Sequence, residues 1–163
     1  MRLGKRRLCL TSVAIVLALA PVVCAQSLPV TRADGTSTTL TAAQISALPH
    51  VTVNTKEHET AAQFEGVPVS AVLALAGVQL GSTMRGPRLT EALLVEAADN
   101  YKVVFALAEF DPDFTSREIV LADKRDGKPL DAKEGPWRVI VPGDKRPARW
   151  IRQVTSFKII AVK

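Results

Sequence analysis

The sequence predicts an α+β fold with mixed or antiparallel sheets and a few short helices. Short runs rich in Val, Ile and Thr outnumber helical segments along the chain, and such residues favour strands. Asp-Gly and Gly-Pro turn signals separate several of these runs. The clearest helical segment, residues 68–76, spans only about two and a half turns. These observations favour short strands packed in sheets over a helical bundle.

Eight strands are predicted wherever β-branched or apolar residues form a short run. The runs cover residues 28–30, 51–54, 60–64, 93–95, 101–105, 118–121, 138–141 and 154–162. Gly66 is expected to end the third strand, and Asp99-Asn100 is expected to form a two-residue hairpin turn between the fourth and the fifth. Further turns are expected at Asp34-Gly35 and Asp126-Gly127.

Two short helices are predicted from their boundary residues. Thr41 is a typical N-cap for a helix over residues 42–47, because its hydroxyl can accept a bond from a first-turn amide. Pro68 fits the first position of the helix over 68–76, and Gly77 fits the position just past its end. The second helix has an apolar face that we expect to be buried, formed by Val72, Leu73 and Leu75.

Residues 1–25 have the pattern of a cleavable signal peptide. A basic segment precedes the uncharged, mostly apolar residues 8–23, and Val23-Cys24-Ala25 is a typical cleavage signal before Gln26. The apolar run contains Pro21 and is shorter than the roughly 20 residues of a membrane-spanning helix. We expect a periplasmic protein with no membrane attachment after cleavage. An uncleaved anchor and a lipid anchor through Cys24 are the alternatives.

The remaining residues, 26–163, are expected to form one domain. Four of the 21 basic residues and none of the 16 acidic residues lie in residues 1–25, so 26–163 carry 17 basic against 16 acidic residues. This balance gives no support for nucleic-acid binding. Both cysteines, Cys9 and Cys24, also precede the domain, which must therefore be stabilised by apolar burial rather than by disulfides.

An ordered series of short motifs runs from Phe64 towards the C-terminus. The motifs are Phe64-Glu65-Gly66-Val67-Pro68-Val69, Leu73-Ala74-Leu75-Ala76-Gly77, Asp99-Asn100-Tyr101, Leu121-Ala122-Asp123, Asp126-Gly127-Lys128-Pro129-Leu130, Gly135-Pro136, Val139-Ile140-Val141-Pro142-Gly143 and Arg149-Trp150-Ile151-Arg152-Gln153-Val154. In this order they resemble the sulfite-oxidase-type molybdopterin-binding oxidoreductase domain, and in particular its small single-domain exported members. The resemblance implies that residues 26–163 adopt that fold.

The resemblance also locates a residue that this chain lacks. In catalytic members of the family a cysteine thiolate binds molybdenum, and counting back from Phe64 puts that position near residues 53–55. Asn54 or a neighbour stands there, and no cysteine lies between Gln26 and Lys163. A neutral amide is a poor substitute for a soft anionic thiolate. We therefore expect no bound cofactor, although the resemblance by itself implies molybdopterin.

Two functions remain open at this point. The first is a non-redox binding or accessory module, without catalytic residues, that holds a small anionic ligand or a partner protein. The second is a molybdopterin-binding oxidoreductase that works without the usual cysteine, with a ligand borrowed from a partner subunit. The missing thiol favours the first. The expected binding residues are Asn54, Tyr101, Arg149 and Arg152, where the two arginines could present a guanidinium fork beside Trp150.

Other polar clusters are expected to have structural roles. His50 and His58 have a spacing that matches no compact metal motif, so we expect no metal site. Glu109, Asp111 and Asp113 lack the pattern of a calcium-binding hand, and Pro112 among them favours a turn.

Overall fold

The computed structural model describes residues 26–161, which form ten strands and two short helices. The predicted signal peptide, residues 1–25, lies outside the described residues. No helix within residues 26–161 is long and apolar enough to cross a membrane. The strands are β1 (Ser27–Thr31), β2 (Ser37–Thr41), β3 (Val51–Glu57), β4 (Thr60–Pro68), β5 (Glu91–Ala97), β6 (Lys102–Ala106), β7 (Val120–Arg125), β8 (Lys128–Pro129), β9 (Arg138–Ile140) and β10 (Val154–Ala161); the helices are α1 (Ala42–Ser46) and α2 (Val69–Leu75). Single 3₁₀ turns lie at Gly81–Thr83, Gly86–Thr90, Leu107–Phe110 and Pro147–Arg149.

The first sheet is mixed and has the strand order β2-β1-β10-β5-β6. β1 pairs in parallel with β10, and the other neighbours are antiparallel. The parallel pairing joins the first and last strands of the described residues at the centre of this sheet. The second sheet has the order β3-β4-β7-β8, with β9 also pairing with β7, and it is antiparallel throughout. The predicted α+β class with mixed and antiparallel sheets is confirmed.

β4 is longer than the sequence predicted, and Gly66 explains the difference. Instead of ending the strand, Gly66 lies within it, at an irregularity in the pairing with β7 between Glu65 and Gly66. A Cβ atom at this position would overlap the backbone of Leu121 and Ala122 on β7. Glycine is required here for a close approach of two strands, which is a second common reason for a glycine in a strand pattern.

The hairpin between β5 and β6 also differs from its prediction. The loop comprises Ala98, Asp99 and Asn100, because the backbone N–H of Ala97 donates to the carbonyl oxygen of Tyr101 across it. Asn100 has a φ of 67°, in the left-handed region that asparagine tolerates better than most residues. A left-handed third residue is typical of three-residue hairpin loops.

Helix α1 begins directly after its predicted N-cap, and α2 begins one residue later than predicted. The Thr41 hydroxyl accepts a bond from the backbone N–H of Gln44 (3.2 Å), and the Gln44 side chain accepts one from the Thr41 N–H (2.9 Å). Pro68 is the N-cap of α2 rather than its first residue. The predicted apolar face of α2 is buried at Val72 and Leu73, whereas Leu75 is exposed.

Apolar residues from both sheets and from α2 form one core cluster. Trp150 is part of it, with 3% of its surface exposed, and its indole Nε1–H donates to the carbonyl oxygen of Val141 at 3.1 Å. The ring meets Phe64 edge to face, with 6.0 Å between ring centroids. This geometry is favourable for aromatic pairs and leaves the indole N–H satisfied.

We predict that Trp150→Ala lowers the free energy of unfolding by about 3–5 kcal/mol, because it removes a buried ring and leaves a cavity. Urea-induced unfolding monitored by circular dichroism measures this change. Phe114 is a suitable control, since 52% of its surface is exposed. Phe114→Ala should cost less than about 1 kcal/mol. Equal losses in the two variants would contradict the assignment of Trp150 to the core.

Candidate functional site

A cleft of about 1190 Å³ opens at the end of the sheets where the β3–β4 and β5–β6 turns lie. Its lining comes from these two turns and from the segments before and after β9. The segments are close together because β4 and β9 both pair with β7, and β5 pairs with β10. The cleft therefore draws on parts of the chain that are distant in sequence.

The floor of the cleft contains a buried arginine that binds two carboxylates. Arg138, on β9, has 1% of its side chain exposed and pairs with Glu57 through Nη2 and Nη1. Its Nη1 also donates to Glu134 Oε1 at 2.8 Å. A buried charge is tolerated only when it is paired and hydrogen-bonded, and these two carboxylates meet that requirement.

Two further arginines extend this network. Arg125 Nη1 donates to Glu57 Oε2 (3.0 Å) and to Glu134 Oε1 (3.2 Å). Arg152 Nη2 donates to Glu57 Oε1 (3.1 Å) from the cleft side, and half of the Arg152 side chain is exposed. We refer to Glu57, Arg125, Glu134, Arg138 and Arg152 as the arginine–glutamate network. Exposed Asp126 adds a peripheral contact to Arg125 at 3.5 Å.

Aromatic rings hold the guanidinium of Arg138 in place. It lies over the Phe64 ring at 5.3 Å and over the Trp150 ring at 5.8 Å, measured to the ring centroids. Arg125 also lies over Phe64, at 5.5 Å. Both distances for Arg138 are within the range of cation–π attraction. The Nε atom of Arg138 is buried and has no hydrogen-bond partner among the described residues.

The network fixes the ionisation state of Glu57. Burial alone would raise the pKa of this carboxyl, but the hydrogen bond and charge of Arg138, with Arg152 and Arg125, outweigh burial and lower the pKa from 4.5 to about 2. Glu57 is therefore an anion at neutral pH and already has cationic partners. It can orient the arginines, but it is poorly suited to act as a general base.

The rim of the cleft carries exposed cations without ion-pair partners. Within residues 26–161, salt bridges involve most of the arginines, yet four cleft-lining basic residues form none: Lys56, Lys133, Lys145 and Arg146. The lining carboxylates that have no basic partner in this part of the chain are Glu59 and Asp99. Positive charge therefore exceeds negative charge on the surface that a bound molecule would meet.

Tyr101 and Arg149 hold the loop that carries two of these cations. The Tyr101 hydroxyl donates to the carbonyl oxygen of Ala148 at 3.0 Å, which ties the loop to the β5–β6 turn. Arg149 forms two bonds with Asp144 (2.9 and 2.8 Å) and one with Glu109 (3.0 Å). These bonds, with Asp144 contributing most, raise the pKa of Arg149. Asp144 and Arg149 flank Lys145 and Arg146 and fix the ends of the segment between them.

The four residues predicted to bind a ligand have different positions. Tyr101 and Arg152 line the cleft. Asn54 is exposed on β3 outside the cleft lining, where its Oδ1 accepts a bond from Gln63 Nε2 at 3.1 Å. Arg149 also lies outside the lining, and its fork of donors is bound to Asp144 and Glu109. Arg149 and Arg152 do not share a helix face, because the 3₁₀ turn ends at Arg149.

Sequence reasoning missed the centre of the site, which is Arg138 with Glu57 and Glu134. One signal was available: Arg138 lies between Trp137 and Val139 in an otherwise apolar strand. A charged residue in such a strand is rarely buried unless it is paired. The acidic segment 109–113 forms a turn, as predicted, since the carbonyl oxygen of Asp111 accepts bonds from the backbone N–H groups of Phe114 and Thr115. The Asp111 carboxylate accepts further bonds from the backbone N–H groups of Gly81 and Asp113.

Comparison with known proteins identifies the family. The family described as oxidoreductase molybdopterin binding domain matches residues 52–161. The chain belongs to this family. The fold is of the sulfite-oxidase type, and it is similar to the crystal structure of the sulfane dehydrogenase SoxCD from Paracoccus pantotrophus, with a TM-score of 0.64 and 19% sequence identity. The match covers 82% of this chain and 38% of that chain, so this family member spans well under half of its length. A search of curated proteins gives no match.

The side chains of residues 26–161 do not include suitable ligands for the molybdenum of the family's cofactor. Residues 26–161 contain no cysteine, and no group of three or more His, Asp or Glu side chains in this range could hold a metal ion. Of residues 53–55, where the resemblance places the metal ligand, Thr55 lines the cleft. A neutral hydroxyl is a weak ligand for a redox metal that is normally bound by a thiolate. The cationic rim, by contrast, is suited to an anion.

We predict that Glu57 contributes to stability in a pH-dependent way. Its pKa is lower in the folded protein, so the contribution is complete above about pH 4.5 and is lost as pH falls towards about 2. The stability difference between the wild type and Glu57→Gln should shrink by about 3 kcal/mol between pH 6 and pH 2. Urea unfolding across this range measures the difference.

Glu118→Gln is the matched control for this prediction. Glu118 is exposed and forms no salt bridge within residues 26–161. Its stability difference from the wild type should stay near zero at every pH. A Glu57→Gln difference that does not change with pH would show that the Arg138 pairing does not stabilise the carboxylate.

Proposed function

We propose that this protein is an exported, non-redox binding module that holds a small anionic ligand in the cleft above Arg138. Export is inferred from the signal-peptide pattern of residues 1–25 and would place the protein in the periplasm. The binding function is inferred from the charge and shape of the cleft. Membership of the oxidoreductase family accounts for the fold, and fold alone does not determine function.

The single observation that carries this proposal is the set of unpaired rim cations. Lys56, Lys133, Lys145 and Arg146 come from three separate segments and line the same cleft. Surface cations usually find partners or point away from one another, because concentrating like charges is unfavourable. A bound anion would offset this repulsion and would gain charge-assisted hydrogen bonds.

The rigidity of the loop from Asp144 to Arg149 supports the same proposal. The Tyr101–Ala148 bond and the Arg149–Asp144 pair hold the loop before any ligand arrives. Preorganisation of this kind increases affinity, because less conformational freedom is lost on binding. In this account Arg149 positions Lys145 and Arg146, and Arg152 is the arginine that faces the ligand.

Family membership favours a second candidate, a molybdopterin-dependent oxidoreductase that lacks the cysteine ligand. The rim cations would then receive the anionic part of the cofactor, and the metal would need a ligand from another subunit. The absence of a thiolate within residues 26–161 weighs against this candidate. The binding hypothesis also includes a partner protein, which would present an acidic group to the cleft in place of a small ligand.

We predict that Arg146→Ala weakens binding of a small polyanion by about 3- to 10-fold, because one charged hydrogen-bond donor is lost. Isothermal titration calorimetry of the mature protein with citrate, at low and constant ionic strength, measures the affinity. Arg85→Ala is the matched control, since Arg85 is an exposed arginine without a salt bridge in residues 26–161 and lies outside the cleft lining.

Arg85→Ala should bind citrate as the wild type does. If both variants lose affinity to the same extent, binding reflects the overall charge and the cleft is not the site. If the wild type binds neither citrate nor sulfate, the proposed function is wrong.

A further inference from the structure

The turn that joins β3 to β4 has a strained backbone. Glu57 pairs with Thr60, so His58 and Glu59 alone form the turn. Their φ angles are 47° and 66°, both in the left-handed region. Residues with a Cβ atom rarely adopt this region, because the Cβ approaches the following carbonyl oxygen. Turns of this kind are therefore usually Asn-Gly or Asp-Gly.

This strain is unusual within the described part of the chain. Left-handed φ angles at non-glycine residues in residues 26–161 otherwise fall on single residues: Asn100, Asp126 and Gln153. Two of these are Asn and Asp, which together with His tolerate the conformation better than most residues, so Glu59 is the less tolerant member of the His58-Glu59 pair. Asp126 is followed by Gly127, the usual second residue of such a turn. His58-Glu59 is the one pair of consecutive non-glycine residues in this conformation between residues 26 and 161.

The strained turn is also part of the cleft. His58 and Glu59 are both exposed and both line it, next to the rim cation Lys56 and the buried carboxylate Glu57. An Asn-Gly turn would satisfy the backbone equally well but would remove both side chains from the cleft. Strained residues persist where their side chains are needed for function.

We propose that the His58-Glu59 turn is a ligand-contacting element of the cleft, and that the protonated imidazole of His58 binds the anion directly. This inference rests on the proposed anion-binding function and adds proton linkage to it. The ligand would be an oxyanion or a carboxylate, since these groups accept the N–H bond of an imidazolium. Binding would be tighter at lower pH, because only the protonated imidazole carries the positive charge that attracts the anion.

Other charged and titratable groups also line the cleft and must be separated from His58. They are Lys56, Glu57 and Glu59 on its own hairpin, Asp99 and Tyr101 at the β5–β6 turn, Lys133 and Arg138 before and on β9, and Asp144, Lys145, Arg146 and Arg152 in the segments that follow. A single substitution at His58 isolates its contribution, because all of these groups remain in the variant.

Sulfate is a suitable probe, because it remains a dianion between pH 5.5 and pH 8.0. Calorimetric titrations at both pH values and constant ionic strength should show about 3- to 10-fold tighter sulfate binding to the wild type at pH 5.5. His58→Gln should remove this pH dependence and bind at both pH values as weakly as the wild type does at pH 8.0. The double variant His58→Asn/Glu59→Gly should also bind sulfate without this pH dependence, yet unfold at a temperature roughly 3–8 °C higher, because its turn is relaxed.

Asn100→Gly is the matched control, since it relaxes a left-handed residue that is not part of the cleft lining. It should bind sulfate as the wild type does at both pH values. If the pH dependence persists in His58→Gln or in the double variant, the inference is overturned while the proposed function remains intact. A double variant that unfolds at a lower temperature would also contradict it, because the turn would then not be strained. A wild type that binds citrate but no sulfate at either pH would overturn the inference alone, and one that binds neither anion would overturn both.

Discussion

The pairing of Arg138 with Glu57 is the interaction on which the arrangement of the cleft depends. It joins β9 to the end of the β3–β4 hairpin, and Glu134, Arg125 and Arg152 attach the adjoining segments to the same centre. Removing either partner would leave a buried charge with fewer hydrogen-bonded partners beneath the cleft, which is unfavourable. The Phe64 and Trp150 rings enclose the Arg138 guanidinium and connect this polar centre to the apolar core. The core and the cleft therefore share their central residues.

Local patterns in the sequence predicted much of the fold but only part of the site. β-branched runs, the Thr41 cap and the boundary residues of α2 report on structure within a few residues, and the corresponding elements are present. The predicted end of β4 was wrong, because Gly66 is required by the close approach of the neighbouring strand at Leu121 on β7 and does not mark a turn in its own segment. The centre of the site could not be predicted in the same way. Glu57 and Arg152 are 95 residues apart, and only the pairing of the strands brings them together.

The family resemblance was most informative about the position of the metal ligand, where this chain has no cysteine. The order of turns and strands from Phe64 onwards is consistent with the oxidoreductase family, which matches the chain over residues 52–161. The same comparison places Asn54 near the position of the metal ligand, but Asn54 contacts Gln63 outside the cleft, and the adjacent Thr55 faces into it. What remains at this end of the fold is a preorganised, positively charged cleft. Such a cleft can bind an anion without any redox chemistry.

The central claim is that this member of the family binds an anion without molybdenum. The most direct test is elemental analysis and mass spectrometry of the protein purified from its native host, where the host's own cofactor-insertion machinery is present. The account predicts less than stoichiometric molybdenum, no released pterin, and a small organic or inorganic anion that remains bound after mild purification. One molybdenum atom and one pterin per chain would contradict it and would establish the protein as an oxidoreductase.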